Sequence, residues 1–122
     1  MSKYFGGLVL VMLVLFSAQS CLAKVYTVGD SEGWGPKKVN YFDWANSKKF
    51  FTGDILEFNY AKGHTVAEVD NYGFVTCNAT NPIFSDDSGH TSITLNTSRE
   101  YFFISAGPRD CDFGMWFAVY VK

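Results

Sequence analysis

The chain has 122 residues, with ten Lys and Arg, twelve Asp and Glu and two His, for a formal net charge of −2. Its only basic clusters are the pairs Lys37-Lys38 and Lys48-Lys49, so it carries no electrostatic footprint for nucleic acid. The length suits a single domain, and the mildly acidic balance speaks to solubility more than to partners.

Lys3, the apolar run Gly6 to Phe16 and the small residues of Ser17 to Ala23 have the layout of a secretory signal peptide. The run is about 11 residues long, against the roughly 20 that a membrane span needs, so cleavage after Ala23 is expected in place of a retained anchor. The expected boundaries are therefore 1–23 for the leader and 24–122 for the mature domain. Losing Lys3 leaves nine basic against twelve acidic side chains, a net charge near −3. Cys21 leaves with the leader. Cys77 and Cys111 remain, an even count in an oxidising compartment, and a disulfide between them is the default. It would close a loop of about 35 residues, worth roughly 3–4 kcal/mol in the chain-entropy picture.

Strand signals dominate the rest. Val25 to Val28 ends at Gly29-Asp30. Asp54 to Tyr60 alternates Leu56, Phe58 and Tyr60 against Ile55, Glu57 and Asn59. Thr65 to Val69 sets Val66 opposite Ala67 and Val69, and Ser92 to Leu95 puts Ile93 and Leu95 on one face. Glu100 to Ser105 and Met115 to Val121 are longer, the last with Met115, Phe117, Val119 and Val121 on a common side. Phe42 to Ala45, with the polar stretch after it, predicts a helical turn or two, and Tyr72 to Cys77 is ambiguous. Short strands separated by Gly, Pro, Asn and Asp turns predict an all-β sandwich. The many Phe and Tyr, with Trp34, Trp44 and Trp116, suit a small core that needs large side chains. Asn78-Ala79-Thr80 and Asn96-Thr97-Ser98 are glycan acceptor sequons. No lipid-anchor signal follows the last strand, so release from the cell is expected.

The ordered motifs VGDSEGW (Val28 to Trp34), Phe51-Thr52-Gly53-Asp54, LEFNY before Gly63-His64-Thr65-Val66, Phe74-Val75-Thr76-Cys77-Asn78, Ser88-Gly89 before Ile93-Thr94-Leu95, and Cys111 with Gly114-Met115 resemble those of plant phytocyanins. The resemblance spans the whole mature chain. It implies a cupredoxin-like Greek-key β-sandwich of two sheets with one or two short helices and one disulfide. The phytocyanin pattern is a distant histidine, then Cys, four residues, His, four residues, and Gln or Met. That spacing survives here as His64, Ser105, Asp110 and Met115, so serine stands at the thiolate position and aspartate at the second imidazole position. The resemblance also makes Cys111 the structural cysteine that pairs with Cys77. Ligand loss resembles the early nodulin-like branch, while the length resembles plantacyanins.

A blue-copper centre needs a thiolate and two imidazoles, so no copper cofactor and no redox function are expected, and these four positions are read as vestigial. His90, the other histidine, is expected in a loop away from them. Convergence of Ser105, His64 and Asp110 would gather the residue types of a hydrolytic triad. Nothing in the loop announces an oxyanion site or substrate cleft, so the chain is read as no enzyme, with those polar groups pairing among themselves. The expectation is a secreted, monomeric recognition or structural module of the plant cell wall or outer cell surface. Its partner would be an extracellular glycoprotein, a polysaccharide or a receptor ectodomain, met by Gly63, His64, Gly107, Pro108 and Arg109, with Phe113 and Trp116 as further contributors. The alternative, by family analogy, is a small blue-copper electron carrier.

Overall fold

The computed structural model describes residues 22–122, so the expected leader lies outside the described residues except for Leu22 and Ala23, which are exposed. Among the described residues seven strands make two sheets. β1 (Val25–Thr27), β2 (Ile55–Asn59) and β5 (His90–Thr94) form one in the order β1-β2-β5. β3 (Val66–Val69), β4 (Phe84–Asp86), β6 (Glu100–Ile104) and β7 (Trp116–Tyr120) form the other in the order β4-β3-β6-β7. β1 runs parallel to β2, with Val25 opposite Ile55, and the other pairings between these strands are antiparallel, while Phe50 and Val121 form an isolated parallel bridge. The chain changes sheets between β2 and β3, between β4 and β5, and between β5 and β6, which closes the sandwich.

Alternation decides what is buried. Leu56 and Phe58 of β2 are fully buried between the sheets, as are Phe117 and Val119 of β7 with flanking Met115 and Val121. Phe117 is the hub of the aromatic core, its ring 5.6 Å from Trp34, 5.9 Å from Phe58 and 5.3 Å from Phe103. Burial of four such rings supplies much of the hydrophobic driving force of a domain this small. Asp54, only 3% exposed, clamps the sheet end: Oδ1 accepts the Lys24 amide (3.0 Å) and Oδ2 accepts the Phe51 amide (2.9 Å).

Helix α1 (Tyr41–Asn46) begins one residue before the predicted turn because Asn40 caps its start, accepting the Asp43 amide at 3.0 Å, and it ends at Ser47, whose amide donates back to the Asp43 carbonyl. The ambiguous stretch is a second helix, α2 (Asn71–Thr76). Its sequence, NYGFVT, has little helix propensity, so its context must hold it. Asp70 caps it through the Gly73 amide (2.8 Å), and Phe74 packs on Phe102 with centroids 5.0 Å apart. Gly73 is needed because a β-carbon there would come within 2.7 Å of the Asn78 carbonyl oxygen. The helix ends at Cys77 in a left-handed conformation (φ 53°), bonded to Cys111 with the α-carbons 5.8 Å apart.

Three further features depart from the sequence reading. β4 was not predicted, since three residues after Pro82, two of them Ser85 and Asp86, carry no periodic signal. A 3-10 turn, Asp30–Glu32, follows β1. His90 lies not in a loop but at the start of β5, opposite Asn59, whose Oδ1 is 2.6 Å from its Nδ1. All four β3 residues are buried: Val66 faces the main core, while Ala67 and Val69 join Ile104 and Cys111 under α2. Glu68 is buried as well, held by Arg99 Nη1 at 3.1 Å. No helix among the described residues is long and apolar enough to cross a membrane.

Candidate functional site

Two loops at one end of the sandwich meet. The first joins β2 to β3 and carries His64, and Trp34 fixes it by donating its indole Nε1–H to the Thr65 carbonyl at 2.8 Å. A core aromatic thus anchors the turn that presents the histidine. The second loop joins β6 to β7 and folds back upon Asp110. The Asp110 amide donates to Gly107 (3.1 Å), and its carbonyl accepts from Phe113 (3.1 Å) and Met115 (3.0 Å). The Ser105 amide donates to the Met115 carbonyl (3.2 Å), which closes the loop at its base.

The side chains form one connected network. Asp110 Oδ2 accepts from His64 Nδ1 and from Ser105 Oγ, each at 2.7 Å. Ser105 Oγ in turn accepts from the amides of Thr65 (3.1 Å) and Gly107 (3.3 Å), and Thr65 Oγ1 accepts from the Ala106 amide (2.6 Å). Ser105, Asp110 and Met115 are buried and His64 is half-buried. A β-carbon at Gly107 would overlap Asp110 Oδ2, so the carboxylate packs directly on the loop backbone. These polar groups are paired, as buried polar groups must be.

The donor set does not fit a soft-copper centre. The loop's one sulfur other than the Met115 thioether belongs to Cys111, and it is bonded to Cys77. What remains is a hydroxyl, one carboxylate and one imidazole, with the hydroxyl and an imidazole nitrogen already engaged by the carboxylate. Among the described residues, no three of His, Cys, Asp and Glu are grouped so that they could hold a metal. The wiring also differs from that of a nucleophilic triad. There the imidazole lies between hydroxyl and carboxylate, whereas here the carboxylate lies between the other two, so His64 is not the base for Ser105.

The remaining candidate residues surround this network. Gly63, Pro108 and Arg109 are exposed and Gly107 is half-buried. The two loops touch where Gly107 approaches the Gly63 carbonyl. A recess of about 500 Å³ lies on one side, lined by Asn78, Ser105, Gly107 and Arg109. Another of about 280 Å³ lies on the other, lined by Glu32, Trp34, Lys38, Tyr60 and His64. Asn78 and Asn96 are both exposed, and Asn78 Oδ1 accepts from the amide (2.9 Å) and hydroxyl (2.6 Å) of Thr80.

Sequence reasoning missed Thr65, whose main chain and hydroxyl join both loops; its place directly after His64 was the available signal. It also missed the clamp in which Lys37 Nζ (4.4 Å) and Arg109 Cζ (4.8 Å) sit against the Phe113 ring. Both cationic residues have left-handed backbones, φ 59° and 62°. Lysine and arginine do not announce that conformation as glycine or asparagine would.

Comparison with known proteins agrees with this architecture. A family model described as a plastocyanin-like domain matches residues 34–115. The blue copper protein of Pisum sativum is 38% identical over 98% of this chain, and early nodulin-like protein 16 of Arabidopsis thaliana is 37% identical over 86%. The chain spans only 64% of the length of each. Stellacyanin of Toxicodendron vernicifluum is 40% identical over 74% of this chain and 89% of its own. Among solved structures, cucumber basic protein, a blue copper protein, superposes with a TM-score of 0.72 at 38% identity, covering 80% of this chain and 99% of its own. Spinach plantacyanin does so with a TM-score of 0.58 at 35% identity, covering 64% and 86%. With its two-sheet cupredoxin-like sandwich and a match that covers most of its length, the chain belongs to the phytocyanin family.

Proposed function

We propose that this phytocyanin works without copper and without catalysis, as a secreted recognition module of the plant cell wall or outer cell surface. The observation that carries this reading is the commitment of His64 and Ser105 to Asp110, which occupies the place where the family pattern gathers metal donors. Its recognition surface is the crest formed by Gly63, His64, Gly107, Pro108 and Arg109, flanked by a recess on either side. The partner is an extracellular glycoprotein, polysaccharide or receptor ectodomain, and the module acts as a monomer.

The test is direct. The oxidised protein incubated with cupric ion stays colourless after dialysis on this reading; a retained blue colour with stoichiometric copper overturns it in favour of electron transfer. Capture from wall and membrane extracts should yield a partner that is lost with Arg109→Ala. The N-terminus of protein collected from the medium should be Lys24, and glycosidase treatment should remove mass from Asn78 or Asn96 if either sequon is used.

A further inference from the structure

The outer face of the β6–β7 sheet carries aromatic side chains that the core does not use. Phe42 of α1 is 53% exposed, and Trp116 and Tyr120 of β7 are 37% and 64% exposed. They are not scattered. The Phe42 and Trp116 rings lie 6.3 Å apart, and Phe74 packs edge-on to Trp116 at 5.8 Å. Phe42 and Trp116 line two adjoining recesses. One, of about 380 Å³, is shared with Lys37, Lys38, Asn40 and Gly114. The other, of about 350 Å³, is shared with Asn46, Asn71, Glu100 and Tyr120. Together they form one track across the face, cationic at one end and aromatic along its length.

The cationic end is held in place. Lys37 and Arg109 sit against the same Phe113 ring, so their charges lie no farther apart than the sum of their distances to its centroid. The Lys37 amide donates to the Phe113 carbonyl, and the Phe113 amide to the Arg109 carbonyl, each at 3.0 Å. Both basic residues keep a left-handed backbone that favours glycine, and such strain persists where surrounding structure enforces it. In a domain with an excess of acidic side chains, Lys37 and Lys38 at one end of the track, with Arg109 beside Lys37 across the Phe113 ring, form a local field of opposite sign.

We propose that this track binds a segment of acidic polysaccharide, with uronate carboxylates at Lys37 and Lys38 and pyranose C–H faces lying on Phe42, Trp116 and Tyr120. A uronate polymer unites the two features the track selects, a repeating negative charge and an apolar ring face; a phosphate polymer has only the first. Asn46 and Asn71 offer amides that both donate to and accept from sugar hydroxyls, and Asn40, its oxygen engaged in the α1 cap, offers its NH2 as a donor. Glu100 at the far end sets polarity, since it accepts from hydroxyls and repels carboxylates. The proposal rests on the recognition reading above and names its ligand class, on a face adjoining the Gly63–Arg109 crest.

The test titrates oligogalacturonate into the secreted protein, read by tryptophan fluorescence and calorimetry. Neutral xylo-oligosaccharide and inorganic polyphosphate serve as controls. Saturable, salt-sensitive binding of oligogalacturonate is expected, with neither control matching it. Trp116→Ala and Phe42→Ala should each weaken it about tenfold. Lys37→Gly with Lys38→Ala should weaken it at least as much and flatten the salt dependence, and glycine keeps the left-handed backbone at position 37. Phe42→Ala, at an exposed helix position, carries the aromatic test if Trp116→Ala folds poorly. Absence of saturable binding overturns the proposal. So does equal binding of polyphosphate with no effect of the aromatic variants, or a dimer that Trp116→Ala dissociates. If oligogalacturonate fails while a wall partner is still captured through Arg109, this assignment alone falls; if both fail, the recognition reading falls with it.

Discussion

Asp110→Ala removes the carboxylate on which His64 and Ser105 converge. A hydrogen bond to a charged group contributes about 1.5–3 kcal/mol, and a buried donor left without a partner costs about 1–3 kcal/mol. The Ser105 hydroxyl is in a residue 2% exposed and cannot turn to water, so its loss counts nearly in full. The His64 side chain is 23% exposed and can be rehydrated, so its bond counts for less. The expected loss is about 2–4 kcal/mol. Asp110→Asn keeps the shape and one acceptor, and should cost about half as much. Urea denaturation at neutral pH, followed by circular dichroism, reads both as a lowered midpoint at constant slope. A double-mutant cycle with His64→Ala should return a coupling of about 1 kcal/mol. If Asp110→Ala stays within about 0.5 kcal/mol of the parent, or if the cycle shows no coupling, the network is not what closes this end of the sandwich.

Other outcomes follow from the same geometry. Ser105→Cys combined with Asp110→His should gain intense visible absorption with cupric ion that survives dialysis, while neither single change does so; a folded but colourless double variant would show that the loops no longer hold ligand geometry. Cys77→Ser with Cys111→Ser opens a loop of sequence separation 34 and should cost about 3–4 kcal/mol by urea unfolding; a loss below about 1 kcal/mol would contradict this. The hydroxyls of Thr91 and then Ser88 hold the Asp86 carboxyl below its ordinary range. That stabilisation is present above the unfolded value and is lost as pH falls through the depressed folded one. The gap in urea midpoint between the parent and Thr91→Val should therefore narrow on acidification, and a gap constant with pH would refute the linkage. Burial raises the Tyr41 phenol, so stability should fall as pH climbs through that raised value, and Tyr41→Phe should lack this alkaline loss.

Much of the fold could be read from alternation alone. Leu56 and Phe58, and the Met115 to Val121 series, needed only a period of two to be set facing the core. What escaped was set by distant partners. Asn71–Thr76 is helical through the Asp70 cap, the Phe74–Phe102 contact and the tight approach at Gly73, none of which shows in propensity. β4 exists because β3 offers an edge, and His90 is drawn into β5 by Asn59. At the site, the spacing of Ser105, Asp110 and Met115 could be read only beside a family pattern, and it did not reveal that Asp110 would sit between His64 and Ser105. The Phe113 clamp was hidden because its cations adopt backbone angles their side chains do not advertise.

The Asp54 clamp carries a consequence for how such a protein should be prepared. Its donor at Lys24 is an ordinary amide so long as residue 23 is attached. Proteolysis between Ala23 and Lys24 would make that nitrogen a terminal ammonium, and a neutral tether would become an ion pair with a carboxylate shielded from solvent. Cleavage at that bond would act as a latch. Recombinant material bearing a starter methionine or a tag remnant ahead of Lys24 should then melt earlier than material that begins at Lys24, a difference that removal of the Asp54 carboxylate would erase.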